Sequence, residues 1–236
     1  MSSVGIAVVL LAGGIGSRMG KPLPKQFLSL ADKVIAHHSL DVFLALDEVD
    51  EIVIVCHPSY RSFFDAYKDS RIHFALPGAQ RQDSVWNGLE ALRHRSDLVC
   101  IHDAARPMID ADLTRRVLAA GLEHGAATVG MPLRFTLKQS TLQGFVDKTL
   151  DRSLLWEIQT PQVIQRDLLL EGFEKVHREN LQVTDDVSVV EFLAKPVKLV
   201  MGNSCNIKIT TPEDLIFAEQ WLAQKHAERC EESCVS

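Results

Sequence analysis

The residues best suited to chemistry lie in one run, A-G-G-I-G-S-R-M-G-K-P-L-P-K-Q-F, from Ala12 to Phe27. Gly13, Gly14 and Gly16 let backbone amides approach a phosphate closely and cradle its charge. Three cations follow, Arg18, Lys21 and Lys25, in a segment stiffened by Pro22 and Pro24. A rigid loop with spaced Arg and Lys suits a polyphosphate whose charge grows during reaction. The alternative is a solvated basic loop. Two familiar templates fail. A P-loop would need glycine where Ile15 stands, and Pro22 follows the lysine. The dinucleotide fingerprint, counted from Gly14, finds Met19 at its third glycine. Both an ATPase and an NAD enzyme are therefore disfavoured.

Other groups recur downstream. H-D-A-A-R-P, His102 to Pro107, offers a carboxylate, Asp103, backed by Arg106. Such a carboxylate at the end of a strand suits substrate or metal binding, with a plain Asp103–Arg106 ion pair as the alternative. His102 alone reads as a packed or hydrogen-bonded histidine. In P-G-A-Q-R-Q-D-S-V, Gly78 and Arg81 offer backbone and guanidinium contacts, and Ser84 a hydroxyl for a base or ribose. Asp83 and Ser84 would equally serve as helix caps, and so would Thr184-Asp185-Asp186. Lys208 alternates with Ile207 and Ile209, which predicts a short strand with the lysine pointing away from its apolar neighbours.

These residues need elements to hold them. Short apolar runs are predicted as strands at Ile6–Leu11, Glu51–Cys56, Ile72–Leu76, Leu98–His102, Thr128–Leu133 and Val197–Met201. Several are apolar on consecutive residues, as expected for strands covered on both faces. Amphipathic stretches lie between them: Ile35, Ser39, Val42, Phe43 and Leu46; Val85, Leu89 and Leu92; Leu113, Val117, Gly121 and Leu122. A last helix starts with Thr211 as N-cap and Pro212 at its first position, and buries Leu215, Ala218 and Leu222. Alternating β and α predicts a Rossmann-like α/β fold, a mostly parallel sheet with helices on both faces. Ligands of such sheets sit beyond the carboxyl ends of the strands. One stretch breaks the rhythm: Phe135 to Leu150 reads as two strands around Leu142-Gln143-Gly144. An isolated hairpin is marginal in water, so this arm, about 135–155, is either a surface hairpin or packs on a second subunit. The expectation is a single domain, 1–236, with that arm and a tail at 227–236.

The chain has 236 residues, 46% hydrophobic and 24% charged, which excludes disordered and collagen-like classes. Its 25 Lys+Arg against 31 Asp+Glu give a net −6, which argues against a nucleic-acid partner. No apolar run is long enough for a membrane span. Five cysteines, none spaced C-x-x-C, suggest a reducing compartment, and a cytoplasmic location is expected.

Taken in order, the glycine loop with P-K-Q-F, P-G-A-Q-R-Q-D-S-V, H-D-A-A-R-P, T-L-K, D-R-S-L-L-W-E-I-Q-T-P-Q, T-D-D and N-I-K-I-T-T-P-E-D resemble the 2-C-methyl-D-erythritol 4-phosphate cytidylyltransferase family. The resemblance runs from Ile6 to about Leu222. It implies transfer of CMP from CTP to methylerythritol phosphate in isoprenoid biosynthesis, with release of pyrophosphate, with Mg²⁺ or another divalent cation, in a homodimer. It implies that Ala12, Gly13, Gly14, Gly16, Arg18 and Lys25 hold the triphosphate, with Arg18 and Lys25 stabilising charge at the α-phosphate. Gly78, Arg81 and Ser84 match the cytosine-reading segment. Lys208 and Arg152 match groups that position the substrate phosphate, Arg152 from the other subunit. Asp103, Arg106, Thr136 and Thr184 match further substrate-side positions, with Asp103 the one candidate metal ligand. The family usually has Asp where this chain has Phe135, and Ala where it has Gly13. A ribitol 5-phosphate cytidylyltransferase and a non-catalytic nucleotide sensor are the competing readings.

Overall fold

The computed structural model describes residues 4–14 and 23–235, without the side chains of 226 and 228–235. Gly16, Arg18, Lys21 and the Cys230 and Cys234 side chains therefore lie outside the described residues. In chain order the elements are β1 (Ile6–Leu11), β2 (Ser29–Leu30), β3 (Lys33–Val34), α1 (Ile35–Leu44), β4 (Glu51–Val55), β5 (Ile72–Ala75), α2 (Arg81–Glu90), β6 (Leu98–Asp103), α3 (Ala111–His124), β7 (Ala126–Pro132), β8 (Lys138–Ser140), β9 (Val146–Thr149), β10 (Trp156–Gln165), α4 (Arg166–Glu179), α5 (Ser188–Glu191), β11 (Lys198–Met201) and α6 (Pro212–Val235).

A seven-stranded sheet runs in the order β11-β7-β10-β6-β1-β4-β5. β1 is parallel to β4 and β6, β4 to β5, and β11 to β7. β10 alone is antiparallel to its neighbours β6 and β7. The mostly parallel α/β fold read from the alternation of elements is the one observed. Its apolar runs are explained by the layers on each face. Val8, Leu10, Ile52 and Ile54 pack with Phe43 of α1 and Val117 of α3. Their chain neighbours Val9, Val53 and Val55 pack on the other face with Val85 of α2 and Phe173 of α4. A smaller core under α6 joins Leu30, Ile35, Ile209 and Ala218.

The predicted helix stripes hold at Ile35, Ser39 and Phe43, at Val85 and Leu89, and at Leu113, Val117 and Gly121, which are all buried or pack at the surface of these cores. Leu122 departs from its stripe and is exposed, since it follows Gly121 off the face that meets the sheet. Gly121 itself lies where a Cβ would come 2.5 Å from Val163.

β10 is not among the predicted strands, and Pro161 within it is unusual for a central strand. The structure accommodates Pro161 by a register shift between Ile158 and Gln162, where the ladder to β7 is interrupted. The hairpin β8–β9 is present as predicted, and Phe135, Leu142, Phe145, Val146 and Leu154 on and beside it are exposed. Among the described residues no helix is long and apolar enough to cross a membrane.

Candidate active site

β1 sits between β4 and β6, where the strand order reverses, and a cleft of about 760 Å³ opens at the carboxyl ends of these strands. Nucleotide-sized ligands occupy clefts of this order. Ala12, Gly13 and Gly14 form one wall, Lys25 and Gln26 a second, and Gly78, Arg81 and Ser84 a third, while Asp103 and Lys208 lie among its lining residues.

The glycine wall is held from two sides. A Cβ on Gly13 would stand 2.5 Å from the Pro77 side chain, so a larger residue there would force a shift of the loop or of Pro77. Among the described residues a Cβ on Gly14 would meet nothing within 4 Å. Gln26 donates from Nε2 to the Ala12 carbonyl at 2.7 Å and to the Gly14 carbonyl at 2.8 Å. Lys25 and Gln26 belong to a short 3-10 turn anchored by Phe27, which stacks on Tyr60 and Phe63 at 4.7 and 5.0 Å between ring centres.

The third wall begins α2. A Cβ on Gly78 would overlap Asp83, which accepts a bond from the Gln80 amide at 2.9 Å as part of a capping box. Ser84 accepts from the Gly78 amide at 3.0 Å and donates to the Gln80 carbonyl at 3.1 Å, so its hydroxyl shapes this loop. Arg81 lines the cleft with its guanidinium forked onto Asp186, at 2.5 and 2.8 Å, and lying 3.3 Å from Asp103.

Asp103 is the electrostatic centre. It is buried, and Lys208 Nζ stands 2.8 Å from Oδ2, with Arg106 Nε at 3.7 Å. Burial alone would raise its pKa, but the charges of Arg81, Lys208 and Arg106 outweigh this and hold the carboxyl well below the usual range. Burial likewise opposes ionisation of Asp186, against the pull of Arg81, and the forked geometry favours the charged pair. Lys208 corrects the expectation of a strand: residues 202–211 contain none, and the side chain points into the site. The chain there is carried by two side-chain bonds and one backbone bond instead. Asn206 donates to the Thr160 carbonyl at 2.8 Å, Arg106 donates to the Asn206 carbonyl at 2.8 Å, and the Ile209 amide donates to Ala105 at 2.8 Å.

His102, directly before Asp103, is fully buried. Its Nε2 is 3.1 Å from the Arg106 carbonyl, which can only accept, so the proton sits on Nε2. Burial lowers its pKa to about 4, which leaves Nδ1 unprotonated to accept from the Thr160 hydroxyl at 2.9 Å.

The remaining sequence candidates lie elsewhere. Arg106 stands behind Asp103 rather than in the cleft lining. Thr136 and Arg152 are exposed at the base of the hairpin, where Arg152 donates to the Arg134 carbonyl. Thr184 is exposed, and its hydroxyl meets that of Ser188 at 3.1 Å. Among the described residues no group of three or more His, Cys, Asp or Glu forms a metal cluster, and Asp103 is the sole carboxylate lining the cleft.

Comparison with known proteins gives this geometry a family. A family model described as 2-C-methyl-D-erythritol 4-phosphate cytidylyltransferase matches residues 6–224. The chain belongs to this family. A chloroplastic 2-C-methyl-D-erythritol 4-phosphate cytidylyltransferase from Oryza sativa subsp. japonica is 49% identical over 223 residues, covering 93% of this chain and 75% of that protein. The enzyme of that name from Clostridioides difficile is 38% identical over 221 residues, covering 92% and 93%. Among solved structures, 4-diphosphocytidyl-2C-methyl-D-erythritol synthase from Anaerococcus prevotii superposes with a TM-score of 0.84 at 29% identity, covering 94% of this chain and 97% of that one. The Thermus thermophilus cytidylyltransferase gives 0.77 at 31% identity, covering 92% and 98%.

Within this cytidylyltransferase fold, several residues escaped the sequence reading. Gln26, in P-K-Q-F, supports the glycine loop. Asp186, a helix-start candidate in T-D-D, binds Arg81. Thr160 and Gln162 of T-P-Q bind the amides of Asp103 and of Asp186, at 3.1 and 2.7 Å. His57, Ser59 and Tyr60 line the cleft directly after β4. The rule that chemistry follows the strand ends would have pointed to these last three.

Proposed function

We propose that this protein transfers the cytidylyl group of CTP to 2-C-methyl-D-erythritol 4-phosphate. A phosphate oxygen of the polyol attacks the α-phosphorus, the bond from that phosphorus to the bridging oxygen breaks, and pyrophosphate leaves. The nucleophile is already an oxyanion, so no general base is needed, and the work is positioning and charge neutralisation. The observation that carries the reading is the glycine loop, with Lys25 beside it, facing Asp103 and Lys208 across one cleft in a chain that matches the family from residue 6 to 224.

In this reading Ala12, Gly13, Gly14 and Gly16 cradle the triphosphate. Arg18 and Lys25 oppose the charge that develops at the α-phosphate. Gly78 and Ser84 shape the base pocket, with Arg81 as its braced edge. Lys208, Arg106 and Thr184 serve the polyol phosphate, together with Thr136 and Arg152 reaching over from a second subunit. That last assignment accounts for the exposed apolar hairpin, which a partner would cover. Mg²⁺ or another divalent cation fits as a companion of the triphosphate: phosphate oxygens would hold it, with Asp103 the one carboxylate among the described lining residues, and it would neutralise phosphate charge. We read the chain as one domain with a dimerising arm, 135–155, in the cytoplasm.

Incubation with Mg-CTP and either methylerythritol phosphate or ribitol 5-phosphate tests the reading. Pyrophosphate release with the first substrate is expected. Release only with ribitol phosphate overturns the substrate, and release with neither favours a nucleotide sensor.

A further inference from the structure

We infer that His102 is a positioning residue that sets the geometry between Asp103 and Arg106. The inference rests on the cytidylyltransferase reading and adds to it a residue that touches no substrate. It starts from a closed ring of hydrogen bonds. The Asp103 amide donates to Thr160 Oγ1 at 3.1 Å, the Thr160 hydroxyl donates to His102 Nδ1 at 2.9 Å, and His102 Nε2–H donates to the Arg106 carbonyl at 3.1 Å. The Arg106 amide closes the ring onto the Asp103 carbonyl at 2.9 Å.

Every polar atom of the ring is thus spent on the two ends of the D-A-A-R turn. A buried imidazole is costly unless both nitrogens are paired, and an apolar residue would fill the same space more cheaply. The packing face is already apolar: the ring meets Phe43 edge-on at 5.5 Å between centres. What histidine adds over phenylalanine here is therefore the pair of bonds. Those bonds tie β6 to the register shift of β10, where Thr160 resides. The same turn carries the Arg106 guanidinium to Asn206, two residues before Lys208. His102 thereby controls where Asp103, Arg106 and Lys208 stand relative to one another, and errors of about 1 Å in such groups cost on the order of 100-fold in rate.

The test uses the full-length protein with Mg-CTP and methylerythritol phosphate. His102→Phe keeps the contact with Phe43 and removes both bonds. It should lower kcat by roughly 10- to 100-fold and raise KM for the polyol phosphate more than KM for CTP. His102→Gln, whose amide N–H can still reach the Arg106 carbonyl, should recover part of the loss. Thr160→Val should act in the same direction, and the double variant should be no worse than about twofold below His102→Phe, because both cut one chain. Wild-type kcat and KM values in folded His102→Phe would overturn the inference, as would multiplicative losses in the double variant. If His102→Phe does not fold, Thr160→Val decides, and normal kinetics there also overturns it. A wild-type protein inactive on both polyol phosphates would sink the enzyme reading instead. Imidazole ¹⁵N NMR then judges His102 independently, since a proton on Nδ1 rather than Nε2 breaks the ring.

Discussion

Lys208 and Asp103 show how a side chain acquires a task from its partners. In the sequence Lys208 is an isolated cation between two isoleucines, and in the fold it lies 2.8 Å from a buried carboxylate. Lys208→Ala or Lys25→Ala should each lower kcat by roughly 10²–10³, as for other single donors aimed at transition-state charge. Steady-state kinetics should show a much smaller change in KM for CTP. The neighbouring His102 adds a pH dependence. Burial holds its folded pKa at about 4, below the ordinary 6.5, so the unfolded chain binds the proton first. Its contribution to stability is therefore complete above pH 6.5 and is lost as pH falls toward 4. Denaturant unfolding should show the gap between wild type and His102→Phe shrinking by about 3 kcal/mol across that window. A gap independent of pH would mean the histidine is not buried neutral.

At the level of elements, the glycine loop separates two requirements that the sequence presents together. A Cβ on Gly13 would collide with Pro77, whereas among the described residues one on Gly14 meets nothing within 4 Å. Gly13→Ala should lower Tm by several degrees, corresponding to about 1–3 kcal/mol of overpacking. Gly14→Ala should leave Tm unchanged and raise KM for CTP, since only the approach of phosphate is obstructed. Equal Tm values for the two variants would contradict this division. The sheet teaches a related lesson. β1, β4, β5 and β6 were legible as apolar runs, because both of their faces are covered and little else can be done with such residues. β10 was not, since Pro161 and the polar Gln159, Thr160 and Gln162 argue against a core strand. They are tolerated because the register shift frees them to hydrogen-bond Asn206, Asp103 and Asp186.

For the whole molecule, the proposed assignment of Arg152 predicts a site shared between two subunits. Arg152 and Thr136 stand exposed at the hairpin base, outside the lining of their own chain's cleft. Inactive Arg152→Ala and Lys25→Ala protomers, mixed and re-equilibrated, should recover activity, because one of the two sites in a heterodimer then carries both residues. Absence of recovery in verified heterodimers would return Arg152 to a purely structural role. A net −6 is compatible with anionic substrates because the cations are local: Arg81, Arg106 and Lys208 converge on Asp103 while the acidic excess lies elsewhere.

The sequence by itself determined the layered α/β fold, the glycine loop at the end of its first strand and the ordered motifs of a cytidylyltransferase. These depend on local pattern: apolar periodicity, glycine spacing and short runs of residues close in the chain. Only the tertiary structure decided the partners. Arg81 with Asp186 spans 105 positions, Lys208 with Asp103 the same number, and Thr160 with His102 spans 58. Pairing at such separations depends on how strands cross and where a ladder slips, and no spacing along the chain records it.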